Sequence, residues 1–305
     1  MADSDPSKNQ PAGYEPPEVW DPGVESGGTF ASINAPTSGA RFEKELPVGK
    51  HPHQLYSLGT PNGVKVTILF EELLEKGFSD AEYDAWLINI GAGDQFGSGF
   101  VDINPNSKIP ALADHSFDPP IHLFESGSML VYLAEKFGAF LPTDTRKRAE
   151  TMNWLMWQMG SAPFVGGGFG HFYNYAPFKI EYAIDRYAME TKRQMHLLDT
   201  ILADREFIIG DEYTIADMAI VPWYGSMMRT AYSSQKFLAT HEYTNLERYV
   251  AQLFDRPAVK RGRMVNQTFG KPEGQVRERH DARDFEHNRE SQIEERGGER
   301  ITWDD

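Results

Sequence analysis

The sequence contains no cysteine. No disulfide, thiolate metal site or protein-borne redox thiol is available to it, so any sulfur chemistry must arrive with a ligand. Positive charge is also short: 30 Lys and Arg against 45 Asp and Glu leave a formal charge of −15, a surface that repels phosphate backbones and anionic lipid. Nucleic acid is not an expected partner. No apolar run approaches the roughly 20 residues of a membrane span, and the opening MADSDPSKNQ lacks the basic-then-apolar pattern of an export signal. The expectation is a cytoplasmic protein with no membrane partner. What is present is 305 residues, 40% hydrophobic and 12% aromatic. That is too apolar for disorder and long enough for about two domains of about 150 residues without staples.

Residues 1–50 carry many Pro, Gly and Ser without sustained periodicity and read as an irregular arm, with Trp20 and Phe30 as aromatic anchors laying it on the fold. From Gln54 the pattern changes. QLYSLG predicts a short strand, and Val64, Ile68, Leu69 and Leu73 follow at helical spacing until Gly77. EYDAWLI predicts a second strand, and a Gly-rich loop follows it. IPALAD and IHLFES predict a hairpin turning at Asp118-Pro119-Pro120. Ser126 is then expected to cap a helix carrying Leu130, Leu133, Ala134 and Phe137. Beyond Pro142 strand signals stop. Helices are clearest at 146–160 and 178–203, the second with Ile180, Ala183, Ile184 and Tyr187 on one stripe. Thr214 and Asp217 fit a structural capping box. The domains are accordingly an arm (1–50), an α/β domain (51–142), an all-helical domain (143–262) and a charged tail (263–305) expected to wrap the surface or move.

A β-α-β then β-β-α domain with a proline opening its third strand, followed by an all-α domain, resembles a glutathione transferase. NPNSKIPAL (104–112), FESGSMLVYLAEKF (124–137) and DEYTIADMA (211–219) stand in that family's order. LPVGKHPHQLYSLGTPNGVKVTI, GDQFGSGFVDINPNSKIPAL and GGGFGHFYNYAP are more similar still to its bacterial Nu class, itself related to the transferase domain of the yeast nitrogen-regulatory prion protein. The resemblance implies a thioredoxin-like N-terminal domain and a homodimer. Glutathione is then the co-substrate, with no metal.

Redox members of the thioredoxin-like fold carry Cys-x-x-Cys at the first strand-to-helix turn, where this chain has Thr60-Pro61-Asn62-Gly63. The helix start keeps its unpaired N–H groups and positive dipole end, which favour a thiolate. Bound glutathione supplies that thiolate on this reading, with Thr60 and Asn62 as catalytic donors and Pro61 between them; read from the residues alone, both equally serve as helix caps. The resemblance further implies a cis bond at Ile109-Pro110, so that glutathione pairs with Ile109 as an added strand. Lys108 is expected to meet the glycine carboxylate or simply solvent. Glu125 and Ser126 are expected to hold the γ-glutamyl end, a buried unpaired Glu125 being costly otherwise. Gln95 matches a glutathione contact, while Asn34 and Arg186 match positions for a second glutathione or the far half of a disulfide. Met159 stands where close relatives have glutamine. The glycine-rich stretch 166–170 lacks a phosphate-loop ending and is expected to break the helix beside an aromatic cleft of His171, Tyr173 and Tyr175. His51 and His53 lack further metal ligands, and the Asn266 sequon is without meaning in a chain with no export signal. The expected activity is disulfide reduction by two glutathiones. The alternatives are conjugation or reductive cleavage of an aromatic electrophile, or a non-catalytic regulatory module.

Overall fold

Alternation of short apolar strands with helical stretches produces β1 (His53–Ser57), α1 (Pro61–Glu75), β2 (Tyr83–Leu87), α2 (Ser98–Ile103), β3 (Ala111–Asp114), β4 (Ile121–Phe124) and α3 (Ser126–Phe137). The strands lie in the order β2-β1-β3-β4, with β1 and β2 parallel and the other pairings antiparallel. This is the thioredoxin-like arrangement. The computed structural model describes residues 15, 17–21, 33, 36–229 and 234–286. Helix α2 falls where a loop is expected: Gly97 and Gly99 depress helix propensity in so short a segment, yet Phe100 and Ile103 bury against the sheet.

Helix α1 is the centre of the packing. Every residue from Gly63 to Leu73 is buried, so it is not a surface helix with one apolar stripe but an enclosed one. Gly63 permits this, because a Cβ there would stand 2.2 Å from the Leu58 carbonyl oxygen. The enclosure also takes in Glu71 and Glu72, and buried carboxylates require partners. Arg256 grips Glu72 through two bonds of 2.6 and 2.8 Å, and Arg261 donates to Glu71 at 2.8 Å.

The helical part comprises α4 (Thr145–Pro163), α5 (Glu181–Ile201), α6 (Ile215–Arg229), α7 (Gln235–Leu238), α8 (Thr244–Asp255) and α9 (Pro257–Met264). Between α4 and α5 the glycine-rich stretch does not break the helix. It widens into a π-helical segment, Phe164–Tyr175, because its glycines admit rings that a side chain would exclude: Cβ atoms at Gly166 and Gly168 would lie 2.6 Å from Trp223 and 2.3 Å from Tyr187. Of the arm, Arg41 to Lys44 lie along the segment 96–99, whereas Trp20 is 65% exposed and is not buried as an anchor; Phe30 lies outside the described residues. The tail is more than a surface wrap as far as residue 286. Arg279 is 1% exposed, pairs with Glu82 and Glu71, and bridges to Ala85 on the free edge of β2.

At the start of α6 the Asp217 half of the expected capping box is present, Thr214 Oγ1 accepting from the Ala216 N–H instead of from the third residue's, and Asp217 reaches further than its own turn. The buried Asp217 carboxylate accepts from the Thr214 N–H at 2.8 Å, the Ile208 N–H at 2.9 Å and the Tyr249 hydroxyl at 3.0 Å. Asp217→Ala orphans all three donors and is expected to cost about 3 kcal/mol. Denaturant unfolding of the variant measures this, and a loss under about 1 kcal/mol would show that the network contributes little net stability.

Candidate functional site

The site is organised around the N-terminus of α1. Thr60 is the N-cap by backbone conformation, but its side chain makes no capping hydrogen bond, and Asn62 is already inside the helix. Capping therefore does not account for either side chain. Asn62 is oriented from the other domain: Trp223 Nε1 on α6 donates to its Oδ1 at 2.9 Å.

Beside this turn lies a cleft of about 300 Å³. It brings together Asn62, Gln95, Lys108, Ile109, Glu125 and Ser126, with Ile33 of the arm also on its wall. Thr60 and Pro61 stand at the turn next to it. The Ile109-Pro110 bond is cis, as is Asp118-Pro119. Arg186 is exposed on α5, away from the cleft lining, and its charge is felt by Glu190, whose carboxyl it helps hold below its ordinary range after Arg193 and Gln194. His171 is exposed, and Tyr173 stacks on Phe169 at 5.0 Å; with Tyr175 they do not line this cleft. Asn34 lies outside the described residues. His51 and His53 turn ring nitrogens to the His280 and Glu82 carbonyls.

Two expectations at the γ-glutamyl end change. Ser126 does not cap α3 but is its first helical residue, Glu125 holding the N-cap position with no side-chain cap bond. Glu125 is also exposed, so burial cost is not what marks it. Backbone strain marks it instead: φ is +68°, a conformation in which a side chain is disfavoured and which clusters at ligand sites. Ser107, which the sequence reading passed over, shows the same sign with φ +53°.

The cleft is polar and unsatisfied. Gln95 Oε1 and Ser107 Oγ are buried on its wall without a hydrogen-bond partner among the described residues. A buried acceptor and a buried hydroxyl left in this state are expected to find partners in a ligand.

The family model for the glutathione S-transferase C-terminal domain matches residues 171–257. The disulfide-bond oxidoreductase YghU of Escherichia coli strain K12 is 62% identical over 278 residues, 91% of this chain and 96% of that protein. The chain belongs to the glutathione transferase family. A crystal structure of the glutathione transferase YghU from Streptococcus pneumoniae, complexed with glutathione, is 55% identical with a TM-score of 0.82, covering 85% of this chain and all of that one. A glutathione transferase from Pseudomonas putida, with one glutathione disulfide bound per subunit, is 38% identical with a TM-score of 0.65, over 70% of this chain and 93% of that one.

This transferase carries a further charged residue that the sequence reading missed. Lys65 on α1 is 1% exposed. Its Nζ reaches Ser126 Oγ at 3.4 Å and Met159 Sδ at 3.8 Å, and among the described residues no carboxylate lies within ion-pair distance of it. Met159 thus fills the space over the first turn of α3. Burial pulls the Lys65 amine down to about 7, with Glu125 opposing. The signal in the sequence is a lysine inside the apolar run Val64-Lys65-Val66. Between about pH 7 and its ordinary 10.5 the unfolded chain holds a proton at Lys65 that the folded chain lacks, so wild-type stability rises with pH there. Lys65→Met is expected to be more stable than wild type at pH 7, and the advantage shrinks toward pH 9 by up to about 1 kcal/mol per pH unit. Parallel denaturant melts measure it; a pH-independent difference would mean that Lys65 does not titrate in this window.

Proposed function

We propose that the chain is a glutathione-dependent disulfide-bond reductase of the bacterial Nu-class type, a cytoplasmic homodimer in which each subunit binds two glutathione molecules or one glutathione disulfide. The observation that carries this reading is a thioredoxin-like helix start with no cysteine anywhere in the chain, opening on a cleft whose wall holds unpaired polar groups. The machinery for favouring a thiolate is kept while the thiol is left to the ligand. The name of the Escherichia coli relative and the glutathione disulfide in the Pseudomonas putida structure support the same chemistry.

Residues 51–142 hold the first glutathione on this reading. Its cysteinyl backbone pairs with Ile109, its γ-glutamyl end meets Glu125 and Ser126, and Lys108 faces its glycine carboxylate. Gln95 Oε1 accepts one of its donors. Thr60 and the Asn62 amide donate to its sulfur. Residues 143–262 close the cleft, Asn34 and Arg186 serve the second glutathione, and 263–286 strap the sheet. The first thiolate attacks a substrate disulfide, forming a mixed disulfide and releasing one substrate thiolate, which takes up a proton. The second thiolate attacks the glutathione sulfur of that mixed disulfide. Glutathione disulfide forms and the other substrate thiolate leaves and is protonated, so two glutathiones are oxidised for one disulfide reduced.

Two measurements test the proposal. The purified protein with glutathione is expected to reduce a small model disulfide at least about tenfold faster than it conjugates aromatic halides, a gap of about 1.4 kcal/mol in barrier. The reverse ranking would favour conjugation, and neither activity with no glutathione bound would favour the regulatory module. Calorimetry on a chain lacking residues 1–40, which spares the backbone bonds of Arg41 to Lys44 to the segment 96–99, is expected to count one glutathione per subunit where the full chain counts two. One in the full chain, or two in the truncated one, would reduce the arm to packing.

A further inference from the structure

We propose that Trp223 is a positioning residue for the thiol site, that its indole fixes which end of the Asn62 amide faces glutathione, and that the glycine-rich π segment is there to admit its ring. The inference rests on the reading of Asn62 as a donor to the bound thiolate and adds the part that makes it one.

An asparagine amide has an oxygen face and an amine face, and rotation by half a turn about its last bond exchanges them. Facing a thiolate, the amine end stabilises the charge and the oxygen end repels it. Nothing in the helix itself chooses, because Asn62 sits in the first turn without a capping bond. The choice is made by Trp223. An indole N–H can only donate, so the atom 2.9 Å from it must be the amide oxygen. Asn62 Nδ2 is then the end left over, on a residue that lines the cleft, and among the described residues it has no acceptor.

Trp223 reaches this position from α6 only because its ring lies over Gly166. A Cβ at 166 would stand 2.6 Å from Cη2 and 2.8 Å from Cζ3 of the indole, an overlap that has to move the ring. Gly167, one residue on in the same π segment, faces open space: a Cβ there meets nothing within 4 Å. The two glycines share the segment, and one of them touches the indole. The glycine-rich stretch, which carries no phosphate-loop chemistry, thereby acquires a role. It is the seat that sets the indole at hydrogen-bonding distance from a residue of the other domain.

The test is a titration of the glutathione-loaded full-length protein, followed by the ultraviolet absorbance of the thiolate. Trp223→Phe keeps an aromatic ring over Gly166 and removes the N–H. It is expected to raise the pH at which the bound thiol ionises by about one unit, to move the acid limb of the kcat profile with it, and to lower kcat about tenfold at pH values below that limb. KM for glutathione stays within about twofold, because the peptide contacts are untouched. Gly166→Ala, which keeps the indole but displaces it, shifts the titration the same way, and Gly167→Ala does not shift it. In an Asn62→Ala background Trp223→Phe adds nothing further. A shift in Asn62→Ala with none in Trp223→Phe and Gly166→Ala would overturn the inference and leave the thiolate role of Asn62 standing. No shift in any of them, Asn62→Ala included, would remove that role and the inference with it. A Trp223→Phe shift that persists without Asn62 overturns the inference as well, since the indole would then act by another route.

Discussion

The enclosure of α1 is the constraint from which the rest follows. A helix whose N-terminus must face a ligand and whose remaining turns are buried on every side has to be surrounded by more chain than a four-stranded sheet provides. The helical domain supplies it, and α1 packs against α6 and α9 as well as against α3 of its own domain. Enclosure of charged side chains forces pairing, which brings Arg256, Arg261 and Arg279 to Glu72 and Glu71. Lys65 is the exception on the same helix, a buried amine with a serine hydroxyl and a thioether as its neighbours. The site thus has two layers. Side chains that line the cleft are backed by donors one step behind: Lys65 behind Ser126, Trp223 behind Asn62.

Much of this was legible in the sequence wherever local pattern and local structure agree. The strand and helix order, the hairpin at Asp118-Pro119-Pro120, the helix end at Gly77 and the Asp217 half of the Thr214 capping box all rest on neighbours within a few residues. The grouping of Asn62, Gln95, Lys108, Ile109, Glu125 and Ser126 around one cleft is legible only through the family resemblance, because it joins segments far apart in the sequence that the topology brings to the same end of the sheet. The misses have a common physical form. Trp223 sits in the apolar run Ile220-Val221-Pro222-Trp223, where a core role is the natural reading, and its partner is 161 positions away. Gly166 to Gly170 read as a helix breaker because propensity counts the entropy of glycine. It does not count the rings that need the space. The sequence marks Glu125 by family position and by an expected burial cost, but its backbone conformation, which no pattern encodes, is what distinguishes it in the fold.

The tail shows the same limit from the other side. Its composition, with 8 basic and 11 acidic residues from 263 onward, reads as solvated chain, and among the described residues Lys271, Glu273, Arg277, Arg283 and Glu286 do face solvent. Its buried contacts decide otherwise. Arg279 stacks its guanidinium 4.2 Å from the Tyr83 ring centroid and donates to the Tyr83 carbonyl at 2.8 Å, closing the edge of β2 that would otherwise present unpaired backbone groups. Composition averages over a segment, whereas a buried arginine with two carboxylates, backed by the contacts of His280 with Asp84 and of Asn266 with Ala85, holds it.

The pairing of α1 with arginines far along the chain also sets an order of assembly. During synthesis the first strand-helix unit leaves the ribosome with Glu71 and Glu72 in place, while Arg256, Arg261 and Arg279 lie 184, 190 and about 208 residues further on. Until they emerge, burying α1 means burying two uncompensated carboxylates, which water outcompetes. The nascent sheet domain therefore waits with its central helix exposed to solvent on one side. Closure of the native packing has to wait for residues 256–279, although the cleft itself is lined by residues 33–126.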